Sequence, residues 1–329
     1  MAKISVMGTG SWGTALAILL HNNGHQVMLW SAHPEKAASL NETREDPKKL
    51  PGIKIPEEIA ITGDEKKALD SPDIVVFASP SAYMRAISKR LSPLIRQGQI
   101  IVNVAKGVEE NTLMPVCDII KEEIPQADVC VLSGPSHAEE VSVGIPTAIV
   151  IASKNDDVLH TIQNTFMDEH LRIYTSTDVK GVELGAALKN IIAFCAGIAV
   201  EQNLGDNTLA ALITRGLKEI TNLGIAMGAN KETFYGLTGL GDLIVTCLSE
   251  HSRNRRAGRC IGRGLTIEET KKEIGMTIES VDNIDVAHAL AKKYNIEMPI
   301  VNAVYDVLYN GLKPNEAVTR LMTREKKSE

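Results

Sequence analysis

A lysine inside an apolar, small-residue run is the first residue in this sequence whose setting could do chemistry. The run extends from about Val179 to Gln202, and Gly185-Ala186-Ala187-Leu188-Lys189-Asn190-Ile191-Ile192-Ala193 lies at its centre. A helix apolar on every face is a buried helix. Gly185, Ala186, Ala187, Ala193, Ala196 and Gly197 let neighbouring backbones come close, so this helix is expected where two domains meet. Two readings of Lys189 are open. Its methylenes can lie on apolar surface while the ammonium snorkels to water. Alternatively it is desolvated, with its pKa lowered from about 10.4 toward the range useful for proton transfer. On the catalytic reading the nearly isosteric Lys189→Met exchange is expected to keep the fold and change stability little.

Other reactive groups cluster around glycine turns. Gly239-Leu240-Gly241-Asp242 delivers one carboxylate at a helix start, either as a cap or as a partner for Lys189. Ser252-Arg253-Asn254-Arg255-Arg256, with Arg259 and Arg263 beyond, forms a cationic cluster in an acidic chain. Helical spacing sends these arginines to several faces, most of them solvated, yet one could clamp a phosphate. Lys106 and Ser136 each follow the end of an apolar strand. Lys106 can touch cofactor and substrate, or be a surface loop lysine; Ser136 can cap a helix, contact a ligand, or both.

The elements that must position these residues begin at the N-terminus. Lys3-Ile4-Ser5-Val6-Met7 runs as a strand into Gly8-Thr9-Gly10-Ser11-Trp12-Gly13, and a helix pattern follows to about Asn23. In this strand–GxGxxG–helix order Gly8 makes the tight turn and Gly10 admits a pyrophosphate. Gly13 packs helix on strand, and the helix-start amides hold the phosphate charge. Trp12 packs near the cofactor or in ordinary core. A second strand, Gln26–Trp30, ends in Ser31-Ala32-His33, where an NAD-specific site offers a carboxylate to the adenosine ribose. With none there, and with His33 able to donate to a 2′-phosphate, NADPH is expected to be accepted; His33 can also simply close a turn before Pro34. Further apolar runs at 74–78, 100–104, 129–132 and 147–151, separated by helical stretches, read as parallel strands covered on both faces. After about residue 180 the text is helical. The expected fold class is α/β: a Rossmann-like doubly wound, mostly parallel sheet over residues 1–180, followed by an all-helical domain over 181–329.

Composition narrows the function. A chain of 329 residues with 44% hydrophobic content can bury two cores, and a net charge of −6 argues against a general nucleic-acid or anionic-membrane binder. Five scattered cysteines without CxxC spacing read as reduced thiols, not as a disulfide frame or a zinc site, and no metal is expected. The strand pattern starts at once, without a charged and then apolar leader. Ile191–Val200 is too short to span a bilayer, so a cytoplasmic protein without membrane insertion is expected.

Taken together, the glycine fingerprint, the Gly185–Ala193 helix, Gly239–Leu243 and Ser252–Arg255, in that order, resemble the NAD(P)-dependent sn-glycerol-3-phosphate dehydrogenases of the bacterial, soluble type over nearly the whole chain. The resemblance implies reversible hydride transfer between NADPH or NADH and dihydroxyacetone phosphate, giving sn-glycerol 3-phosphate for phospholipid biosynthesis, in a homodimer. It implies cofactor contacts from Gly8, Gly10, Ser11, Trp12, Gly13, His33, Lys106, Ala138, Arg253, Thr277 and Glu279. Substrate contacts would come from Lys106, Gly134, Ser136, Lys189, Asp242, Ser252, Arg253 and Asn254. Lys189 would donate the proton, with Asp242 and Asn190 holding its amine and Lys106 adding positive potential. The chain departs from the commoner family pattern at Ser280 and in Asn203–Asn207. Related Rossmann-plus-helix reductases, of β-hydroxyacids or ketopantoate, would share the first domain and a lysine-asparagine helix but lack Ser252-Arg253-Asn254.

Overall fold

The computed structural model describes every residue except Thr277, Lys327 and Glu329, together with all helix and strand side chains except that of Asp282. Two compact units divide the chain: Met1–Lys106 with Met114–Glu183, and Gly107–Leu113 with Leu184–Glu329.

The first unit is an eight-stranded sheet in the order β3-β2-β1-β4-β5-β6-β7-β8. Its strands are β1 (Lys3–Met7), β2 (Gln26–Trp30), β3 (Ala60–Thr62), β4 (Ile74–Phe77), β5 (Ile100–Asn103), β6 (Asp128–Ser133), β7 (Thr147–Ala152) and β8 (Leu171–Ser176). Helices α1 (Ser11–Asn22), α2 (Pro34–Thr43), α3 (Glu65–Ala68), α4 (Met84–Leu91), α5 (Val116–Glu123), α6 (Ala138–Val141) and α7 (Asp156–Phe166) connect them. Val, Ile and Leu on both sides of the strands feed separate apolar clusters, which is why β4 and the first three residues of β5 read as unbroken apolar runs. Register sets the working edge: Met7 pairs with both Trp30 and Phe77, and Phe77 with Asn103. The residues that follow these four therefore leave the sheet at one level, the carboxyl edge where doubly wound folds bind ligands.

Three features depart from the sequence reading. β7 pairs antiparallel to β6, because the segment between them holds only the four-residue α6 and no full crossover helix. The strands β3 and β8 escape detection: β3 has three residues, and β8 alternates buried Leu171 and Ile173 with exposed Arg172 and Tyr174 instead of running apolar. The apolar run around Lys189 belongs to α8 (Val179–Glu201), whose 23 residues are long and apolar enough to cross a membrane, although most of it is buried in protein.

The second unit is helical: α9 (Gly205–Ala226), α10 (Asp242–Leu248), α11 (Arg253–Gly262), α12 (Ile267–Ile274), α13 (Glu279–Tyr294), α14 (Pro299–Tyr309) and α15 (Pro314–Met322) gather around residues 184–201 of α8. Small residues set the distances. A Cβ on Gly197 would lie 2.0 Å from the Arg255 carbonyl oxygen, and one on Gly258 would lie 1.9 Å from that of Phe194. α8 and α11 thus cross backbone to backbone.

Candidate active site

In the first unit the GxGxxG glycines divide their work as the sequence implies. Gly8 has φ +145, and a Cβ there would strike the Ala78 carbonyl oxygen at 2.6 Å, while one on Gly13 would lie 2.2 Å from the Gly8 carbonyl oxygen. At Gly10 an added Cβ meets nothing within 4 Å. Gly10 is also the N-cap of α1 and offers no capping side chain to the first amides of the helix. This bare cradle fits a dinucleotide pyrophosphate. Gly10→Ala is expected to shift the melting temperature little while weakening dinucleotide binding, checked by calorimetry of cofactor binding alongside thermal melts.

Trp12 packs with Ala15, Leu50, Ile53 and Ala138, which joins two of the implied cofactor residues in one small cluster. The Ser11 hydroxyl donates to the Lys49 carbonyl. His33 is the N-cap of α2 and lies 72% exposed, its Nδ1 3.5 Å from Glu35 Oε1. Lys106, Gly134 and Ser136 meet: the Lys106 ammonium donates to the Gly134 carbonyl at 3.2 Å, and the Ser136 hydroxyl donates to the same oxygen at 2.9 Å. Gly134, at φ +144, sits where a side chain is strained, and a Cβ there would lie a tight 3.0 Å from the Ile149 Cα.

The turn that presents Lys106 is held by groups the sequence reading did not select. Asn103 accepts from the Ala105 amide and donates to Glu183, whose carboxylate also accepts from the Cys117 amide at 2.8 Å. Burial pushes the Glu183 carboxyl up to about 7, against the pull of those hydrogen bonds. The only signal available was an acid in an otherwise apolar helix.

In the second unit Lys189 is 4% exposed and Asp242 1%. The ammonium donates to Asp242 Oδ1 and to Thr246 Oγ1, both at 2.6 Å. Local sequence explains the meeting. Gly185, one helical turn before Lys189, admits the Thr238 carbonyl oxygen to 2.8 Å of where a Cβ would be, and the bare turn Leu237–Gly241 then hands over to α10 with Asp242 first. Thr246 sits one turn on and donates its own proton to the Asp242 carbonyl, leaving a lone pair for the lysine. The sequence reading did not select Thr246.

Asn190 does not hold the lysine amine. It donates to Glu279 Oε2 at 2.8 Å, because consecutive helical residues point about 100° apart. Glu279 opens α13, and the next amide, of fully buried Ser280, donates to Asn254 Oδ1. Ser252 caps α11 by accepting from the Arg255 amide, and Arg253 follows as the first helical residue. The outer arginines are ion-paired: Arg255 with Glu250, Arg259 with Glu201 and Glu250, and Arg263 with Glu273. Thr277 lies outside the described residues.

The chain matches the family described as NAD-dependent glycerol-3-phosphate dehydrogenase, its N-terminal part over residues 3–159 and its C-terminal part over residues 178–319. It is 54% identical to a glycerol-3-phosphate dehydrogenase (NAD(P)+) of Fusobacterium nucleatum, over 100% of this chain and 99% of that one. It is 46% identical to the enzyme of the same name from Bacillus velezensis, over 100% and 96%. Among solved structures, a glycerol-3-phosphate dehydrogenase from Coxiella burnetii superposes with a TM-score of 0.95 at 36% identity, covering 98% of this chain and 99% of that one. A ketopantoate reductase from Ralstonia eutropha, at 15% identity and a TM-score of 0.61, shares the fold alone.

Proposed function

The chain belongs to the NAD-dependent glycerol-3-phosphate dehydrogenase family, and from that premise we propose a division of its chemistry among named residues. It is an NAD(P)-dependent oxidoreductase that interconverts dihydroxyacetone phosphate and sn-glycerol 3-phosphate. Residues 1–180 hold the dinucleotide and residues 181–329 hold substrate and move the proton. When bound, the nicotinamide supplies a hydride to the substrate carbonyl carbon or takes it back. Reduction leaves negative charge on the substrate oxygen, which needs a proton and a positive neighbour. Lys189 donates that proton. Asp242 and Thr246 fix its ammonium, and Lys106 adds positive potential at the carboxyl edge of the sheet. The observation that carries this reading is the Lys189 ammonium, buried and held on two oxygens at 2.6 Å; a snorkelling lysine would end in water. Gly134 and Ser136 contribute to the substrate site, and Asn190 acts through Glu279.

Ser252, Arg253 and Asn254 hold the substrate phosphate at the start of α11. Loss of a charge-assisted hydrogen bond of about 1.5–3 kcal/mol predicts that Arg253→Ala lowers kcat/KM roughly 10- to 150-fold. Lysine rescues poorly, since it keeps the charge and loses the planar fork. The check compares dihydroxyacetone phosphate with unphosphorylated dihydroxyacetone, and ketopantoate as a control, following NADPH oxidation. A phosphate clamp loses the phosphorylated substrate selectively; equal loss on both refutes it, and a loss confined to NADPH affinity moves Arg253 to the cofactor. The product suits the glycerophospholipid backbone, and we place the enzyme in the cytoplasm as a homodimer.

A further inference from the structure

Past β2 the family reading assigns cofactor discrimination to His33, yet the structure anchors a different cation beside the glycine loop. Lys36, one helical turn after His33 on α2, donates from Nζ to the carbonyl of Thr9, the residue between Gly8 and Gly10, at 2.9 Å. Asp46 holds the same ammonium at 3.0 Å, in a pair with side-chain exposures of 28% and 13%. Asp46 is itself fixed, accepting from the amides of Lys48 and Lys49. The Ser31 hydroxyl, 3.4 Å from that of Thr9, accepts from the His33 amide, so the end of β2, the glycine loop and α2 meet at one place. An ammonium has three N–H bonds, and Thr9 and Asp46 take two. The stem is already ordered, so a further acceptor is bound without the entropy cost a loose surface lysine incurs. The carboxylates nearby do not replace the acid missing after Trp30: Glu35 is exposed against His33, and Asp46 is committed to Lys36 and two amides. In Rossmann sites the groups just past the second strand face the adenosine ribose, and a cation among them accommodates a 2′-phosphate.

We propose that Lys36, buttressed by Asp46, is the specificity-determining contact for the 2′-phosphate of NADPH, with His33 as an outer, solvated contributor. This rests on the reading that the dinucleotide lies over Gly8–Gly13. It also accounts for use of both cofactors: the position repels neither, since Asp46 is neutralised by its lysine, and Lys36 adds affinity only where a 2′-phosphate is present.

The test is equilibrium binding to the full-length protein by titration calorimetry, with NADPH, NADH, 2′,5′-ADP and 5′-AMP as probes. Lys36→Met is expected to weaken NADPH and 2′,5′-ADP roughly 10- to 100-fold, the scale of a charge-assisted hydrogen bond, while NADH and 5′-AMP change less than about twofold. Lys36→Arg is expected to recover most of the NADPH affinity. Circular dichroism and thermal melts report whether each variant is folded, and Lys36→Gln serves if the methionine variant is not. Equal weakening of all four probes makes Lys36 an anchor of the glycine loop and overturns the proposal, as does unchanged NADPH affinity. If the wild type binds neither NADPH nor 2′,5′-ADP, the placement of the dinucleotide fails and this inference falls with it.

Discussion

Lys189→Met is expected to lower kcat by about 10²- to 10⁴-fold, the usual worth of a positioned proton donor, with little change in cofactor affinity. The structure adds a second expected result that the sequence reading had the other way: the folded protein loses stability as well. Methionine matches the lysine in length, but it leaves Asp242, 1% exposed, as a buried carboxylate without its cation. Breaking one side of a buried pair costs about 3–5 kcal/mol, because the remaining charge keeps its desolvation penalty. A second exchange, Asp242→Asn, removes that charge and is expected to return much of the stability while restoring none of the turnover. The two readouts therefore separate. Wild-type turnover in a folded Lys189→Met protein would sink the catalytic role. A single variant as stable as the wild type would sink the account of the pair as buried and mutually dependent, and additivity in the double-mutant cycle would do the same.

Gly258→Ala is the change expected to damage the second unit most for the fewest atoms. The added carbon would lie 1.9 Å from the Phe194 carbonyl oxygen and 3.1 Å from the Gly197 Cα, both backbone, so no side chain can turn aside. α8 and α11 have to separate, at about 3 kcal/mol or more. Because α8 carries Lys189 and α11 carries Ser252, Arg253 and Asn254, the separation is expected to raise KM and lower kcat in whatever fraction folds. Gly236→Ala is the control, since its new carbon sits at an ordinary 3.4 Å from the Thr233 carbonyl oxygen. Denaturant midpoints of the two variants test this. Equal stability of Gly258→Ala and Gly236→Ala would show that the crossing gives way without cost.

What the chain discloses before folding follows the range of the interaction. Gly8, Gly10 and Gly13 declare themselves because their reasons are local: a left-handed φ, an open cradle, a helix laid on its own preceding turn. Asp242 was legible as a partner for Lys189 because a lone acid after two glycines in apolar text has few other uses. Thr246 was not, since a threonine one turn further along a helix is ordinary until the lysine arrives from 57 positions away. Asn190 was misjudged for the converse reason: adjacency in sequence suggested a shared task, while helical rotation sends its amide to Glu279. Lys36 and Asp46 carry no local signal, and only the fold of the 46–50 turn against the glycine loop brings them together. The antiparallel β7 was hidden too, because an apolar strand buried on both faces reads the same in either direction.

The small excursion at residues 107–113 bears on whether this protein can be taken apart. The backbone changes units at Lys106/Gly107, at Leu113/Met114 and at Glu183/Leu184, so the two halves share three joints instead of one. Val108 is buried in the helical cluster and Leu113 packs on it. An N-terminal fragment ending near residue 180 would keep these two side chains and lose the cluster that covers them. A helical fragment starting there would lack its own Val108. The halves are therefore not interchangeable cassettes, and recombination among relatives preserves packing only where the 107–113 segment travels with the C-terminal helices it plugs.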